Sequence, residues 1–394
     1  RPNRISGCKK ERKCASIVTG VKPGTDKRED RKMKSKKTIA VLMAACLCLM
    51  NISCAAPDTG DNTSGQSQEP AGTRTFVDSA GREVEVPETI TRIIPSGDMA
   101  QMFLWPLAAD ELVSVATPVT EAQEKYLGTT ARDLPETGNL YKTGSELNVE
   151  EVALLDAQII IDFGEAKDSI TEDLDNLQKL LGIPCVFIEG GLEDSAQSYR
   201  MLGELLGKEE EAEELASYID TVIDTTQQVF QTTEKKEAVI LSGSDGLGCV
   251  ASGTYFDEVW AYMLKNVAQV DDAQMYASTS IDFEQLASWN PDYLFCYNGA
   301  DPEALSQRAE WSQLPAVQNG RCYAVPEGPY SFVSPPTVNR YLAIIWLADR
   351  VYPGVFPWDT EQMVKDYYRL FYHYTLSDAD YEALMGDESG AVVS

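Results

Sequence analysis

The residue types that most often carry catalysis or hold metal ions are scarce in this chain. Its 394 residues include a single histidine, His373, in an aromatic stretch near the carboxyl terminus. One histidine cannot build a histidine-based metal cage, and no HExxH helix is present. Asp and Glu number 62, but no pair of carboxylates stands out for acid–base work. We therefore expect a binding protein that is not an enzyme, with no cofactor and no directly bound transition metal.

Candidate binding residues follow the predicted strands at their carboxyl ends, where open α/β lobes bind ligands. In the first lobe these are Ser96, Gly97, Asp98, Met99, Tyr141, Lys142 and Phe163. In the second lobe they are Asp245, Tyr255, Tyr297, Asn298, Tyr330 and Phe332. A cleft lined by Tyr and Phe with few charges suits a bulky, partly apolar, planar or chelated ligand. Each of these aromatic rings could equally pack beneath a loop.

A glycine-rich loop at 243–248 follows a predicted strand, which is where phosphate-binding loops lie. The loop does not spell GxGxxG at the start of a helix, it contains Asp245, and no Walker lysine follows it. We do not expect nucleotide binding there.

Two segments of the chain, 148–164 and 282–298, repeat each other without a gap at an offset of 134 positions, as from 148 to 282. Each opens with a capping box, in which the N-cap residue (Asn148 or Asp282) is followed three positions later by Glu or Gln. The match predicts equivalent helices in two similar lobes.

Glu150 and Glu284 fall on the same position in the first turn of these equivalent helices. Each helix is followed by a turn signal and then by a short apolar run, at 159–161 and 293–295. Such runs are long enough for buried parallel strands.

A long helical segment lies between the two repeats. Ser195–Leu206 and 208–230 read as two helices separated by Gly207. The second carries one apolar stripe at helical spacing, made of Ala212, Leu215, Ala216, Ile219, Val222, Ile223 and Thr226. At about 1.5 Å per residue this helix is roughly 34 Å long, enough to join two lobes.

The rest of the folded body alternates strands with helices, which predicts an α/β fold of two Rossmann-like lobes with mostly parallel sheets. The predicted strands are 75–86 (a hairpin), 92–95, 112–117, 159–163, 185–188, 238–242, 293–297 and 322–325. Further predicted helices are 99–107, 254–265, 302–311, 337–352, 362–371 and 378–385. The predicted domains are a first lobe at 73–206, an interlobe helix at 207–232, a second lobe at 233–352 and carboxyl-terminal helices with a tail at 353–394.

The charge is unevenly distributed. Residues 1–53 hold 14 Lys and Arg against 4 Asp and Glu, whereas the remainder holds 19 against 58. A body this acidic repels nucleic acid, so we exclude that class of partner.

The basic amino-terminal part contains a predicted export signal at 33–53, with a basic start and an apolar run too short to span a bilayer comfortably. Cys54 directly follows it, which resembles the lipid-attachment site of bacterial lipoproteins, although Asn51 stands where Leu is usual. The alternative is an ordinary secretory signal cleaved nearby. Residues 1–32 are expected to be an upstream extension and 54–72 a flexible tether.

Of the later cysteines, Cys296 and Cys322 could pair if their strands are neighbours; the sequence leaves this open.

Several stretches together resemble the cobalamin and ferric-siderophore binding proteins of ABC importers. They are the opening hairpin TFVDSAGREVEVP with TRII (75–87 and 91–94), NVE at 148–150, DFEQL with NPD (282–286 and 290–292), and NGRCYAVP at 319–326. The resemblance covers residues 75–371, most of the chain after the signal. It implies the class III binding-protein architecture, in which one long helix joins two lobes that open and close little.

The resemblance also implies the partners. They are a metal chelate, a permease dimer with its ATPase, and the membrane through a lipid anchor on its outer face, with the protein itself a monomer. Glu150 and Glu284 fill the positions of the glutamates that dock on permease arginines in this family; the alternative is that each only complements its helix dipole.

An iron chelate is the favoured cargo. Cobalamin, haem or another chelate is the alternative, and a surface enzyme or adhesion module on the same lobes is a more distant one. Siderophore binders often present Arg to an anionic chelate, but only Lys142 and Arg340 are near the predicted cleft. This weakens the case for a catecholate.

Overall fold

The computed structural model describes residues 72–141 and 147–386, so the signal segment, Cys54 and Lys142 lie outside the described residues. The strands are β1 (Thr73–Val77), β2 (Glu83–Pro87), β3 (Ile93–Pro95), β4 (Ile159–Gly164), β5 (Cys185–Glu189), β6 (Glu237–Ser242), β7 (Gly248–Cys249), β8 (Lys265–Asn266), β9 (Thr279–Ser280), β10 (Tyr293–Cys296) and β11 (Cys322–Ala324). The helices are α1 (Asp98–Ala108), α2 (Glu121–Leu127), α3 (Val149–Leu154), α4 (Ile170–Leu181), α5 (Ser195–Leu206), α6 (Glu209–Phe230), α7 (Glu258–Met263), α8 (Phe283–Trp289), α9 (Pro302–Ser306), α10 (Pro315–Gln318), α11 (Arg340–Val351), α12 (Thr360–Tyr372) and α13 (Asp378–Met385).

Each lobe is built on a parallel sheet of three principal strands. In the first lobe the order is β3-β4-β5, with both pairs parallel, and β1 and β2 form a separate antiparallel hairpin. In the second lobe β6, β10 and β11 are parallel, with β10 in the middle, and β8 also pairs with β6. The short strands β7 and β9 extend the β6 edge in antiparallel fashion. The predicted α/β class with mostly parallel sheets is confirmed.

The sequence repeat corresponds to a structural repeat. The N-cap side chains of Asn148 and Asp282 accept from the backbone N–H three residues on, which confirms both helix starts. The turns after the two helices place Asp156 and Asn290, at equivalent positions, in the left-handed region with φ of 48° each. The strands that follow, β4 and β10, are the central strands of their three-stranded parallel arrangements.

Helices α5 and α6 connect the lobes and pack closely on each other. Gly207 ends α5 in the left-handed conformation, with φ of 69°, as its position between two helical segments predicts. Gly203 lets the two helices approach, because a Cβ there would lie 2.5 Å from the Cβ of Ala212. The predicted apolar stripe of α6 is buried along its whole length, which confirms it.

Three local predictions were wrong. Residues 112–117 form only isolated bridges, because the Gln101 side chain takes the backbone N–H groups of Ala116 and Thr117 that a neighbouring strand would have bonded. The predicted helix 254–265 starts with a 3₁₀ turn, so α7 covers only Glu258–Met263. The predicted helix 302–311 stops at Ser306.

The cysteine pair and the histidine noted in the sequence are both placed by the structure. Cys296 and Cys322 lie on neighbouring strands as free thiols, with their sulfurs 3.8 Å apart in the core. His373 is exposed, and its Nε2 lies 2.9 Å from the carbonyl oxygen of Pro106. Among the described residues, no helix combines the length and the apolar composition needed to cross a bilayer.

Candidate functional site

The carboxyl ends of the first lobe's strands face the second lobe. Met99 lies in the first turn of α1, directly after β3, and its sulfur accepts a hydrogen bond from the Tyr255 hydroxyl at 3.5 Å. Gly190, directly after β5, offers its carbonyl oxygen to the Arg340 side chain at 3.2 Å. The boundary between the lobes therefore lies where α/β lobes bind their ligands.

A wall of aromatic and hydroxyl groups continues from this contact across the second lobe. The ring of Tyr255 is 5.4 Å from that of Tyr276, centroid to centroid. Ser278 Oγ lies 2.7 Å from Ser242 Oγ and 3.3 Å from the Tyr297 hydroxyl. The wall thus joins the predicted residues Tyr255 and Tyr297, and it ends near the carboxyl ends of β6 and β10.

The most exposed part of this wall was missed by sequence reasoning. Tyr276 is 74% exposed and its neighbour Met275 is 51% exposed, which is unusual for large apolar side chains. Both lie in an irregular segment between β8 and β9. The only signal in the sequence was an aromatic and a methionine in a stretch without apolar periodicity.

Two side chains of the second lobe, Arg340 and Glu258, reach across the boundary and bond to the first lobe. We call this pair the clamp. Arg340 forms an ion pair with Glu258 and donates to the carbonyl oxygen of Gly190 and the hydroxyl of Ser195, each at 3.2 Å. Glu258 accepts in turn from the backbone N–H of Leu192 at 2.9 Å. Arg340 uses its two terminal nitrogens in this bridge, whereas its buried Nε has no hydrogen-bond partner among the described residues.

The electrostatic character of the boundary is acidic. Glu165 follows β4, and burial followed by the negative charge of Glu258 raises the pKa of its carboxyl above the ordinary value. Burial followed by the charge of Glu165 raises the pKa of Tyr255 to about 12, so the phenol stays protonated at neutral pH. Like charges that raise a pKa in this way repel a further anion.

A buried polar cluster lies behind the first lobe's strand ends. Ser96 is buried and donates a hydrogen bond to Asp162, and burial is the main reason that the pKa of Asp162 is raised. Burial likewise raises the pKa of Tyr141, whose hydroxyl finds no hydrogen-bond partner among the described residues. Lys167 Nζ lies 5.3 Å from the centre of the Tyr141 ring.

Three of the predicted cleft aromatics lie in the hydrophobic core. Phe163 stacks on Phe103 with ring centroids 3.9 Å apart, and Phe332 has no exposed surface. Tyr330 is 9% exposed. Little or none of the surface of these three side chains is open in this structure, and their contact with a ligand stays a prediction.

The remaining predicted residues lie at the strand ends. Asp98 is exposed, while Gly97 is buried against Asn139. Asn298 is exposed, and its carbonyl oxygen accepts from the N–H of Gly243. Their contact with a ligand stays a prediction.

The glycine-rich loop 243–248 is held in place by hydrogen bonds from Arg308, which lies outside the loop. Arg308 donates to the carbonyl oxygens of Ser244 and Asp245 at 3.0 and 2.9 Å. The carboxylate of Asp245 accepts a hydrogen bond from the backbone N–H of Leu247. Within the described part of the chain, no group of three or more His, Cys, Asp or Glu side chains is placed to hold a metal ion.

Glu150 and Glu284 are both exposed in the first turns of α3 and α8. Each helix directly precedes the central strand of its lobe, β4 or β10. The two carboxylates occupy equivalent places, one on each lobe; their docking role stays a prediction.

Comparisons with known proteins agree with this geometry. A family model described as periplasmic binding protein matches residues 108–329. The ABC transporter substrate-binding lipoprotein YvrC of Bacillus subtilis (strain 168) is 22% identical over 326 residues, which are 80% of this chain and 96% of the relative. The iron(3+)-hydroxamate-binding protein FhuD of the same organism is 23% identical over 322 residues, 77% of this chain and 96% of the relative. Among solved structures, an ABC transporter solute-binding protein from Sulfurospirillum deleyianum DSM 6946 is 25% identical, with a TM-score of 0.70 over 79% of this chain and 98% of that chain.

Proposed function

Because the chain belongs to the periplasmic binding protein family, we propose that it captures a ferric siderophore between its lobes and delivers it to the permease of an ABC importer. Family members bind solutes and do not transform them, and the class III fold predicted from the sequence is confirmed. The iron chelate, the lipid anchor at Cys54 and the docking glutamates are the finer parts of the proposal.

The observation that carries the proposal is the shared boundary of the two lobes. The carboxyl ends of the first lobe's sheet meet the second lobe at Met99 and Tyr255, and an exposed wall continues through Tyr276. Sites of this kind, apolar with a few directed polar groups, are typical of small-molecule pockets. No group of the boundary that we describe is placed as a nucleophile with its base.

The charges of the boundary favour a neutral or positively charged chelate. Glu165 and Glu258 bring two negative charges and Arg340 brings one positive charge, which is paired with Glu258, so these three groups are negative on balance. A triscatecholate complex would carry several negative charges next to these carboxylates, which costs free energy in a partly desolvated site. A ferric hydroxamate has little or no net negative charge, and its carbon framework can pack on Tyr276 and Met275. The relative named for iron(3+)-hydroxamate binding supports this choice.

Delivery requires a membrane partner, and two features support one. Glu150 and Glu284 present one exposed carboxylate per lobe, an arrangement that can be read by both halves of a twofold permease. Cys54, at the end of the predicted export signal, would hold the protein on the outer face of the membrane, as the lipoprotein relative supports.

A thermal-shift screen tests the cargo. The chain from about Gly72 onward is heated with ferric hydroxamates, ferric catecholates, haem, cobalamin and free metal ions. A ligand at 100 times its dissociation constant stabilises a protein by about 2.7 kcal/mol, which raises the melting midpoint by a few degrees. We expect this rise with a ferric hydroxamate. A rise with haem or cobalamin alone would show that the proposed cargo is wrong and that the importer role still holds. No rise with any chelate would contradict the proposal.

A further inference from the structure

Glu165 directly follows β4, the central strand of the first lobe's sheet. A Cβ on its neighbour Gly164 would lie 3.9 Å from the Cε of Met99, whose sulfur accepts from the Tyr255 hydroxyl of the second lobe. The carbonyl oxygen of Gly164 accepts from the N–H of Gly190 at 3.1 Å, in the turn that the clamp holds. Glu165 is therefore next to both contacts between the lobes, and it is exposed.

The carboxylate of Glu165 has no ion-pair partner among the described residues. Lys167, two positions further on, pairs with Asp173 at 2.6 Å. Arg340, whose positive charge acts on Glu165, pairs with Glu258. Burial and then the charge of Glu258 raise the pKa of the Glu165 carboxyl, so the folded protein disfavours its negative charge. A cation bound beside Glu165 would offset this cost.

Two tyrosine rings of the second lobe face the same boundary. Burial and then the charge of Glu165 raise the pKa of Tyr255, which reflects how near the two groups lie across the boundary. The ring of Tyr255 is 5.4 Å from that of Tyr276, which is 74% exposed. The face of a tyrosine ring attracts a cation electrostatically. A carboxylate together with two tyrosine rings therefore suits an organic ammonium group.

Another polar group of the boundary lacks a partner. The Nε of Arg340 is buried and bonds to no described residue, although both terminal nitrogens of the same side chain are bonded. A buried donor without an acceptor costs free energy. A neutral oxygen of a bound cargo would satisfy this donor. The boundary thus matches a cargo that carries oxygen acceptors as well as an ammonium group.

We propose that Glu165 binds a protonated amine of the chelate, so that this protein selects ferric hydroxamates that carry a free ammonium group. The inference rests on the proposed function and narrows its cargo to a cationic chelate. The ammonium group lies between the Glu165 carboxylate and the rings of Tyr255 and Tyr276. Acetylation of the amine removes its positive charge and leaves the iron centre unaltered, so it removes the preference without removing the chelate.

The test compares two ferric trihydroxamates that differ only at a terminal amine, one with the free ammonium group and the other N-acetylated. Each is titrated calorimetrically, at neutral pH, into the wild-type protein, Glu165→Gln and the control Glu172→Gln. Glu172 is exposed in the first turn of α4, which packs on α3 and β5 of the first lobe. Its substitution changes the net charge by the same amount at another place.

We expect the wild type and Glu172→Gln to bind the ammonium form about fivefold more tightly than the acetylated form. Glu165→Gln should bind both forms equally. It should also keep or exceed the wild-type melting midpoint, because the charge of Glu165 does not stabilise the fold.

The outcomes separate this inference from the proposed function. If the wild type binds both chelates equally, or prefers the acetylated one, the ammonium subsite is refuted while capture of a ferric hydroxamate stands. If Glu165→Gln keeps the preference, or weakens both forms by the same factor, Glu165 does not bind the amine and the inference is overturned. If the wild type binds neither chelate, the proposed function is refuted as well.

Discussion

The clamp between Arg340 and Glu258 should contribute measurably to the free energy of unfolding, and Glu258→Gln removes its charge while keeping its shape. The Arg340 side chain is 3% exposed and the Glu258 side chain 26% exposed. Removing one partner of a fully buried ion pair costs about 3–5 kcal/mol, because the other charge is left uncompensated. Since Glu258 is partly exposed and solvent screens it, we expect about 2–3 kcal/mol.

The substitution isolates the charge because glutamine keeps an oxygen for the backbone N–H of Leu192, which Glu258 accepts at 2.9 Å. Urea unfolding gives the free energy directly. In a thermal scan, 1 kcal/mol moves the midpoint of a domain of about 150–250 residues by about 2–4 °C, so we expect a drop of about 4–12 °C.

Glu165→Gln is the matched control. It is the same substitution at the same boundary, but burial and the neighbouring carboxylates already raise the pKa of Glu165, so its charge does not stabilise the fold. If Glu258→Gln unfolds at the same urea concentration as Glu165→Gln, the buried pair does not hold the lobes and the reasoning is refuted.

Three further predictions follow from the same geometry. Glu165→Gln should stabilise the fold slightly at neutral pH, because the raised pKa means that folding disfavours the charged carboxyl. This gain should disappear below the ordinary value of 4.5, where the carboxyl is protonated in both states; a gain in urea unfolding that persists at about pH 4 would contradict it. Gly203→Ala should reduce the free energy of unfolding by about 1–3 kcal/mol and so lower the urea midpoint, because the new Cβ would lie 2.5 Å from the Cβ of Ala212. An unchanged urea midpoint would contradict the close packing of α5 on α6. Glu150→Arg combined with Glu284→Arg should abolish cellular uptake of the chelate and leave its affinity, measured by calorimetry, unchanged; weakened affinity would contradict the docking role.

The structural repeat was predictable because its determinants are local. The caps at Asn148 and Asp282 act within one helical turn, and short apolar runs between turn signals predict buried strands without knowledge of the rest of the fold. The same holds for Gly207, whose type and position between two helical segments set the left-handed break. Local chemistry of this kind predicted the order of the elements and the α/β class.

The clamp was not predictable because its members meet only in the folded chain. Arg340 is 82 positions from Glu258 and 150 from Gly190. Nothing in the local sequence indicates which carboxylate a given arginine will meet. The prediction for 112–117 failed for a similar reason, since the backbone N–H groups of Ala116 and Thr117 bond to the Gln101 side chain, more than a dozen residues away.

The cleft itself was predictable only in part. The strand ends located the boundary, and Tyr255 lies at it. The strand pattern could not say which aromatic rings turn inward: Phe163 and Phe332 pack in the core, whereas Tyr276, in an irregular segment, remains exposed. Whether a ring at a strand end points into the core or into the cleft depends on the elements packed against it, and these come from distant parts of the chain.

The most direct test of the central claim is a calorimetric titration of the folded body with a ferric hydroxamate, in the wild type, in Tyr276→Ala and in the control Val355→Ala. Tyr276 is 74% exposed on the proposed wall, and Val355 is 44% exposed after α11, outside the boundary. We predict saturable binding of one chelate per chain, weakened about tenfold or more by loss of the Tyr276 ring and unchanged in Val355→Ala. Wild-type chain that binds no chelate, or binds it with equal affinity in all three forms, would contradict capture between the lobes.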